Sequence, residues 1–175
     1  MGSGGARARS GPPANPFSAR SEGREYVELP AKGFKGYVPV FPLPKLDVYV
    51  TELSDEGKPY RALSTELTEE THRRELALWR RLWRYPQASC WSREKWRQDA
   101  VAHYVRVSVR VEGPEAKAAD VTAMLRLRDE IGLTPQGMSL NGWKVVEDET
   151  AVKRAAKKSE STAQERRRRF DVVTG

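Results

Sequence analysis

The chain has 175 residues, of which 38% are hydrophobic and 31% are charged, and its formal net charge is +7. This polarity excludes a large single core and favours either a modest core with solvated flanks or a core completed by oligomerisation. The positive charge favours a polyanionic partner, most often nucleic acid, over a membrane surface.

The composition also limits the possible sites and compartments. One cysteine excludes an intrachain disulfide, and two histidines beside it are too few ligands for a usual structural zinc site. No apolar run approaches the length of a membrane span or of a signal-peptide core. We therefore expect a soluble intracellular protein with no metal and no cofactor.

Two segments of unusual composition come first in the chain. Residues 1–24 are rich in Gly, Pro, Ser and Arg, which is typical of a disordered basic arm. Residues 25–67 include "GYVPVFPLP", and because proline disfavours both helix and sheet pairing we expect an extended Pro-rich segment. Within it, "DVYVTEL" is a candidate edge strand and "SDEGKP" a turn.

Residues 68–146 are expected to form a helical core for oligomerisation and DNA binding. A first helix is predicted at about 69–84, capped by Thr68 or Thr65 and ended by Pro86. Its tryptophans Trp79 and Trp83 share one face with leucines, and arginines occupy the remaining positions. This spacing favours burial of the indoles over the alternative, in which they stack on the bases of a single strand.

A second helix is predicted after Ser92, with Trp96, Ala100 and Tyr104 on its apolar face. The segment "YVRVSVRV" at 104–111 alternates strictly and is rich in β-branched residues, which is typical of a strand. It nevertheless continues a helical run without a break. The local pattern therefore leaves helix and strand open for these eight residues.

Two more helices are predicted from "PEAKAADVTAMLRLRDEIGLTPQG". The third has Pro114 in its first turn and Gly132 as its stop. The fourth is short, with Thr134 as cap and Pro135 at its first position, and is expected to carry Met138 and Trp143. Residues 147–175 are expected to form a basic C-terminal tail that is disordered or helical only in part.

No motif indicates catalysis, so we expect a protein that is not an enzyme. Asp99 and His103 are four residues apart, which is more typical of a helical contact than of a catalytic pair. The candidate sites are therefore of two kinds. The residues expected to contact DNA are Arg7, Arg9, Arg20, Arg73, Arg80, Arg81, Arg84, Lys153, Arg154, Lys157, Lys158, Arg166, Arg167, Arg168 and Arg169. The residues expected to pack in the core or between subunits are Trp79, Trp83, Trp91, Trp96, Tyr104, Leu125, Ile131 and Trp143.

Three stretches in this order resemble the small subunit of phage terminase, in the branch found in tailed phages of actinobacteria. They are "LPAKGFKG" leading to "FPLP", "LWRRLWRYPQA" followed by Trp91, and "LRDEIGLTP" ending near Trp143, and the similarity runs from about residue 11 to 146. The chain departs from the family at "MSLNGW", where members often have "RRLRW". This departure implies a shorter or less regular last helix.

The resemblance implies an all-α fold with a central antiparallel helical hairpin, flanking shorter helices and assembly as a ring. It implies a helix at 104–111. It also implies a function: the protein binds double-stranded viral DNA at the packaging start site and presents it to the large terminase subunit, in the host cytoplasm during infection. The alternative that the sequence leaves open is a helix-turn-helix transcription regulator, because "IGLTPQGMSLNGW" has a helix–Gly–helix pattern.

Overall fold

The computed structural model describes residues 15, 18, 25–113 and 116–147. Its helices are α1 (Thr65–Leu82), α2 (Ala88–Trp91), α3 (Lys95–Val111), α4 (Ala118–Glu130) and α5 (Pro135–Leu140). Its strands are β1 (Val27–Pro30), β2 (Tyr49–Leu53), β3 (Pro59–Leu63) and β4 (Trp143–Val146).

The expected all-α fold is wrong, because the four strands form two small sheets beside the helices. Helices account for 47% of the described residues, β1 pairs in parallel with β4, and β2 pairs antiparallel with β3. The protein is therefore mixed α/β. The arm and tail expected at 1–24 and 147–175 lie almost entirely outside the described residues.

The antiparallel hairpin β2–β3 forms within the segment expected to be merely extended. The strand predicted from "DVYVTEL" and the turn predicted from "SDEGKP" are confirmed, with Gly57 at φ +74° in the turn. The second strand escaped notice because it begins with Pro59. A proline is tolerated there because it is the first residue of a strand whose outer edge is open.

The parallel pair β1–β4 joins the two ends of the described chain. Val27 lies opposite Trp143 and Pro30 opposite Val146. Trp143 was expected on the last helix, but α5 ends at Leu140 and the tryptophan begins β4. Its ring packs against Gly132, where a Cβ atom would approach it to 2.5 Å, so this contact requires glycine.

Helix α1 begins four residues before its predicted start. Its cap is Ser64, whose hydroxyl accepts from the Leu67 amide, and not Thr68 or Thr65. Thr68 is buried instead, and its hydroxyl accepts a 2.9 Å hydrogen bond from the Val48 amide. This bond ties the base of the β2–β3 hairpin to α1.

Helix α3 includes residues 104–111, so the structure has the helical alternative there. The helix buries Val101, Val105 and Val109, which lie four residues apart on one face. Tertiary packing against α1 and α4 thus overrides the strand preference of the valines. Ser92 follows α2 and does not cap α3, which begins after Glu94.

The last two helices follow their predicted signals closely. Gly132 has φ +77° and stands two residues after α4 ends. The cap at Thr134 is confirmed, because its hydroxyl accepts from the Gly137 amide and Pro135 opens α5. The start of α4 at Ala118 is later than expected, and Pro114 lies outside the described residues.

The core lies between α1, α2, α3 and the β1–β4 pair. Aromatic side chains form the centre of the core, and α3 contributes valines to it. It also holds one ion pair, between Glu75 of α1 and Arg106 of α3, at 2.8 Å with the two side chains 3% and 12% exposed. His72 lies 3.4 Å from the same carboxylate.

Candidate nucleic-acid interface

The last turn of α1 and the two residues that follow it separate indoles from guanidinium groups. Trp79 and Trp83 are buried, whereas Arg80, Arg81 and Arg84 are exposed. Because a helix turns 100° per residue, the residues that follow each tryptophan point away from the core. The Trp/Arg alternation in the sequence thus becomes two faces, one packed and one charged.

The packed face is a chain of four aromatic contacts. Ring centroids lie 5.4 Å apart between Phe41 and Trp79, 5.3 Å between Trp79 and Trp83, and 6.1 Å between Trp83 and Trp91. Phe34 contacts Trp83 at 5.9 Å. We call these five rings the tryptophan cluster.

Two indoles of the tryptophan cluster are also fixed by hydrogen bonds. Trp79 donates to the Pro39 carbonyl at 2.8 Å, and Trp91 donates to the Ile131 carbonyl at 3.0 Å. Edge-to-face contacts and satisfied N–H groups are the usual arrangement of buried aromatics. The cluster therefore gives the charged face of α1 a rigid support.

A loop from the N-terminal half brings two further cations to the end of α1. Gly33 has φ +77° and lies so close to Arg84 that a Cβ atom would be 2.2 Å from its carbonyl oxygen. The neighbouring Phe34 is inserted against Trp83. Lys32 and Lys35 are consequently held, exposed, beside the last turn of α1.

These five exposed cations are here called the basic patch; they are Lys32, Lys35, Arg80, Arg81 and Arg84. Within the described part of the chain, none of them has a carboxylate at ion-pair distance. Their field is therefore not neutralised locally, which is the condition for attracting a polyanion. The two lysines were missed by sequence reasoning, although "AKGFKG" carries the signal of cations alternating with glycine.

Several other cations of the helices are used internally. Arg73, which was expected to contact DNA, pairs with Glu70, and Arg74 pairs with Glu112. Arg97 and Arg110 are likewise paired, with Glu94 and Asp120. The basic patch is therefore the group of unpaired cations at the end of α1, and among the described residues Arg93, Lys95, Arg126 and Arg128 are exposed without an ion pair elsewhere.

The other end of α1 is acidic. Glu66, Glu69 and Glu70 lie in its first turns, and the adjoining hairpin adds exposed Glu52, Asp55 and Glu56. Lys45 pairs with Glu69 at 2.5 Å and holds the pKa of that carboxyl below its usual value. Since α1 has 18 residues and is about 27 Å long, the acidic and basic ends are well separated.

The residues expected to pack fall into two groups. Trp79, Trp83, Trp91, Ile131 and Trp143 are at most 3% exposed, and Tyr104 is half-buried against the core. Trp96 and Leu125 differ, because they are 55% and 50% exposed. The structure thus leaves these last two at the surface of the single chain.

Several expected DNA contacts lie outside the described residues. They are Arg7, Arg9, Arg20, Lys153, Arg154, Lys157, Lys158, Arg166, Arg167, Arg168 and Arg169. Of the arginines in the described ranges, Arg80, Arg81 and Arg84 belong to the basic patch and Arg73 lies away from it.

The described residues offer little for metal or thiol chemistry. They contain no group of three or more His, Cys, Asp or Glu side chains suited to a metal ion. Cys90 is buried beneath the tryptophan cluster, and this burial raises the pKa of its thiol. No helix within the described ranges is both long and apolar enough to cross a bilayer.

Comparisons with protein-family models, with curated proteins and with solved structures found no significant match. The features of the molecule that bear on its function are the basic patch, the acidic end of α1 and exposed apolar side chains such as Trp96 and Leu125.

Proposed function

We propose that the protein is a small terminase subunit that binds double-stranded viral DNA and presents it to the large terminase subunit. The observation that supports DNA binding is the basic patch, five exposed cations that no described carboxylate pairs with, on a rigid aromatic base. Each phosphate neutralised by such a group releases condensed counterions from DNA. The basic residues of 1–24 and 148–175 add positive charge in the sequence.

Assembly into a ring is the second part of the proposal, and the β2–β3 hairpin supports it. Tyr49, Leu53 and Leu63 lie on one face of the hairpin, because residues 49 and 63 are paired and side chains alternate along a strand. These three side chains are 46%, 71% and 52% exposed. Thr51 and Arg61 lie between them on the same face, with the Arg61 guanidinium 5.4 Å from the Tyr49 ring centroid. An exposed face that combines apolar and aromatic side chains with an arginine is typical of a protein–protein contact.

The charge distribution favours a head-to-tail contact over a symmetric one. The hairpin face lies at the acidic end of α1, and the basic patch lies at the other end. Acidic and basic ends of neighbouring copies attract each other, whereas two hairpin faces would bring like charges together. Repeated head-to-tail contacts generate rings when the rotation closes.

The DNA-binding part is tested by a triple variant, Arg80→Ala, Arg81→Ala and Arg84→Ala. The affinity for duplex DNA should fall, and the negative slope of log K against log salt should become shallower by about 2.7 because three phosphate contacts are lost. A matched control removes three cations from the acidic end by Lys45→Ala, Lys58→Ala and Arg73→Ala, each of which is paired with a carboxylate there. Equal losses in both variants would mean that net charge alone, and not the basic patch, binds DNA.

The oligomer is tested by size-exclusion chromatography with light scattering on the full chain. A ring of many subunits supports the packaging function, whereas a monomer or dimer with site-specific DNA binding supports the helix-turn-helix alternative. Removal of residues 151–175 should lower DNA affinity and leave the oligomer intact. Unchanged affinity after this truncation would show that the tail does not contact DNA.

The link to packaging is tested with the large terminase subunit. We expect the full chain to bind that subunit and to increase the amount of DNA it retains, and the triple arginine variant to lose the DNA-dependent increase. A chain that assembles and binds DNA but never associates with a large terminase subunit would contradict the packaging function.

A further inference from the structure

Trp96 differs from the other four tryptophans. It is 55% exposed, whereas Trp79, Trp83, Trp91 and Trp143 are at most 3% exposed. It occupies the second position of α3 and takes no part in the core. A half-exposed indole in so polar a chain calls for a physical explanation.

The ring of Trp96 is held in place by the adjacent arginine. The guanidinium carbon of Arg97 lies 4.4 Å from the centroid of Trp96 and 4.7 Å from that of Trp143. Arg97 also donates to the Glu94 carboxylate at 2.5 Å and to the Glu130 carbonyl at 3.2 Å. This side chain is 12% exposed, so it links the exposed indole to a buried one.

The exposed part of Trp96 borders an open pocket of 510 Å³ between α3, α4 and α5. Leu140 adds an apolar wall, Arg126 adds a cation, and Glu130 adds an exposed carboxylate. Asp129 also borders the pocket, but one oxygen of its carboxylate already accepts a hydrogen bond from the Thr134 hydroxyl. Among the described residues, Arg126 has no carboxylate at ion-pair distance. A volume of this size accommodates a single nucleotide.

We propose that this pocket binds one unpaired nucleobase of DNA, stacked on Trp96. The proposal rests on the DNA binding proposed above. An indole offers its π-face to any base, but bases inside a duplex have both faces covered by their neighbours. The ligand is therefore a base at a strand end, in a gap or flipped out of the helix.

The other walls of the pocket define how this base is selected. Arg126 is available for the phosphate that accompanies the base. Carboxylates accept hydrogen bonds and cannot donate them, so they favour bases with an exocyclic amino group. Adenine, cytosine and guanine have such a group, and thymine does not.

The experiment measures tryptophan fluorescence of the full chain during titration with short single-stranded oligonucleotides. Because the other four indoles are buried, quenching by the oligonucleotide reports on Trp96. We expect cytosine oligonucleotides to quench more strongly than thymine ones. We also expect Glu130→Gln to reduce that difference.

Two variants of Trp96 separate stacking from mere apolar contact. Trp96→Phe keeps an aromatic ring and should retain most of the single-strand affinity. Trp96→Leu keeps only apolar volume and should weaken it by roughly 5- to 150-fold. Equal affinities of the two variants, or no quenching of the wild type, would overturn the proposal.

Two further measurements distinguish base binding in this pocket from duplex binding by the basic patch and from a contact between copies of the chain. Neither Trp96 variant should change duplex affinity, and the triple arginine variant should still bind short oligonucleotides. A wild-type chain that binds short oligonucleotides but no duplex would thus count against the basic patch and not against the pocket. If Trp96 is shielded in the assembled protein and Trp96→Leu disperses the oligomer, the pocket receives a second copy and the nucleobase proposal fails.

Discussion

The tryptophan cluster and the β2–β3 hairpin hold comparable aromatic and aliphatic side chains and use them in opposite ways. In the cluster, four aromatic contacts and two indole hydrogen bonds fix the end of α1. In the hairpin, no residue is buried, and two strands alone are marginally stable. Apolar residues thus stabilise the chain at one end of α1 and remain available for a partner at the other.

The largest expected difference between the two regions comes from truncating one aromatic ring in each. Trp83→Ala removes a fully buried ring and should lower the free energy of unfolding by about 3–5 kcal/mol. Tyr60→Ala on the hairpin removes a ring that is 48% exposed and should cost less than about 1 kcal/mol. Urea unfolding of dilute protein measures both, and similar losses would show that the hairpin is part of the cooperative core.

The second difference concerns ion pairs. Glu75→Gln breaks the buried pair with Arg106 and should cost roughly 3 kcal/mol, because Arg106 is left without its counter-charge. Glu69→Gln removes the exposed pair with Lys45, whose effect is small because water screens it.

The exposed pair has a defined pH dependence. Since Lys45 lowers the folded-state pKa of Glu69, the pair stabilises the fold above the carboxyl's unfolded pKa. This contribution is lost as the pH falls through the lowered, folded-state pKa. Lys45→Ala should therefore return the Glu69 titration, followed by NMR, to its ordinary range. An unchanged titration would mean that the pair does not form in solution.

The third comparison uses two glycines with nearly the same backbone conformation. Gly33 and Gly57 have φ of +77° and +74°, but only Gly33 has a neighbour in the way of a Cβ atom. Gly57→Ala should cost about 1 kcal/mol of backbone strain. Gly33→Ala should cost more and should also weaken duplex binding, because the loop carrying Lys32 and Lys35 must move away from Arg84. Equal stabilities and equal DNA affinities would contradict the close approach.

The smallest effect on stability is expected for the apolar face of the hairpin. Leu53→Ser and Leu63→Ser should each change the unfolding free energy of dissociated protein by less than about 0.5 kcal/mol, because both side chains are exposed. The same changes should shift the oligomer toward smaller species in light scattering. Thr51→Ser, on the same face, is the matched control. An oligomer that withstands both leucine changes would place the subunit contact elsewhere.

Much of the helical structure could be predicted from local pattern. The tryptophans of α1 share a face with leucines, and Thr134, Pro135 and Gly132 mark their helix ends by simple backbone chemistry. The strands β1 and β4 could not be predicted, because each is short and its partner lies at the other end of the described chain. Pairing over such a separation leaves no local periodicity.

Local pattern predicts the part of the basic patch that lies on one helix, but not the part that a distant loop contributes. The arginines of α1 follow from helical spacing, but the position of Lys32 and Lys35 depends on the contact between Gly33 and Arg84. The exposure of Trp96 was also missed. Its spacing fits the apolar face of α3, yet this second residue of α3 lies outside the core.

The parallel β1–β4 pair determines where the last segment of the chain is anchored. Ala31 donates to the carbonyl of Val146. Residue 147, to which residues 148–175 are joined, therefore follows a residue bonded to Ala31, and Ala31 immediately precedes the loop with Lys32 and Lys35. Cationic residues of that segment are thereby tethered to the basic patch at high effective concentration. In the proposed DNA complex, contacts of that segment with a duplex on the patch would be intramolecular, so the two sets would reinforce each other's binding without any new surface on the folded domain.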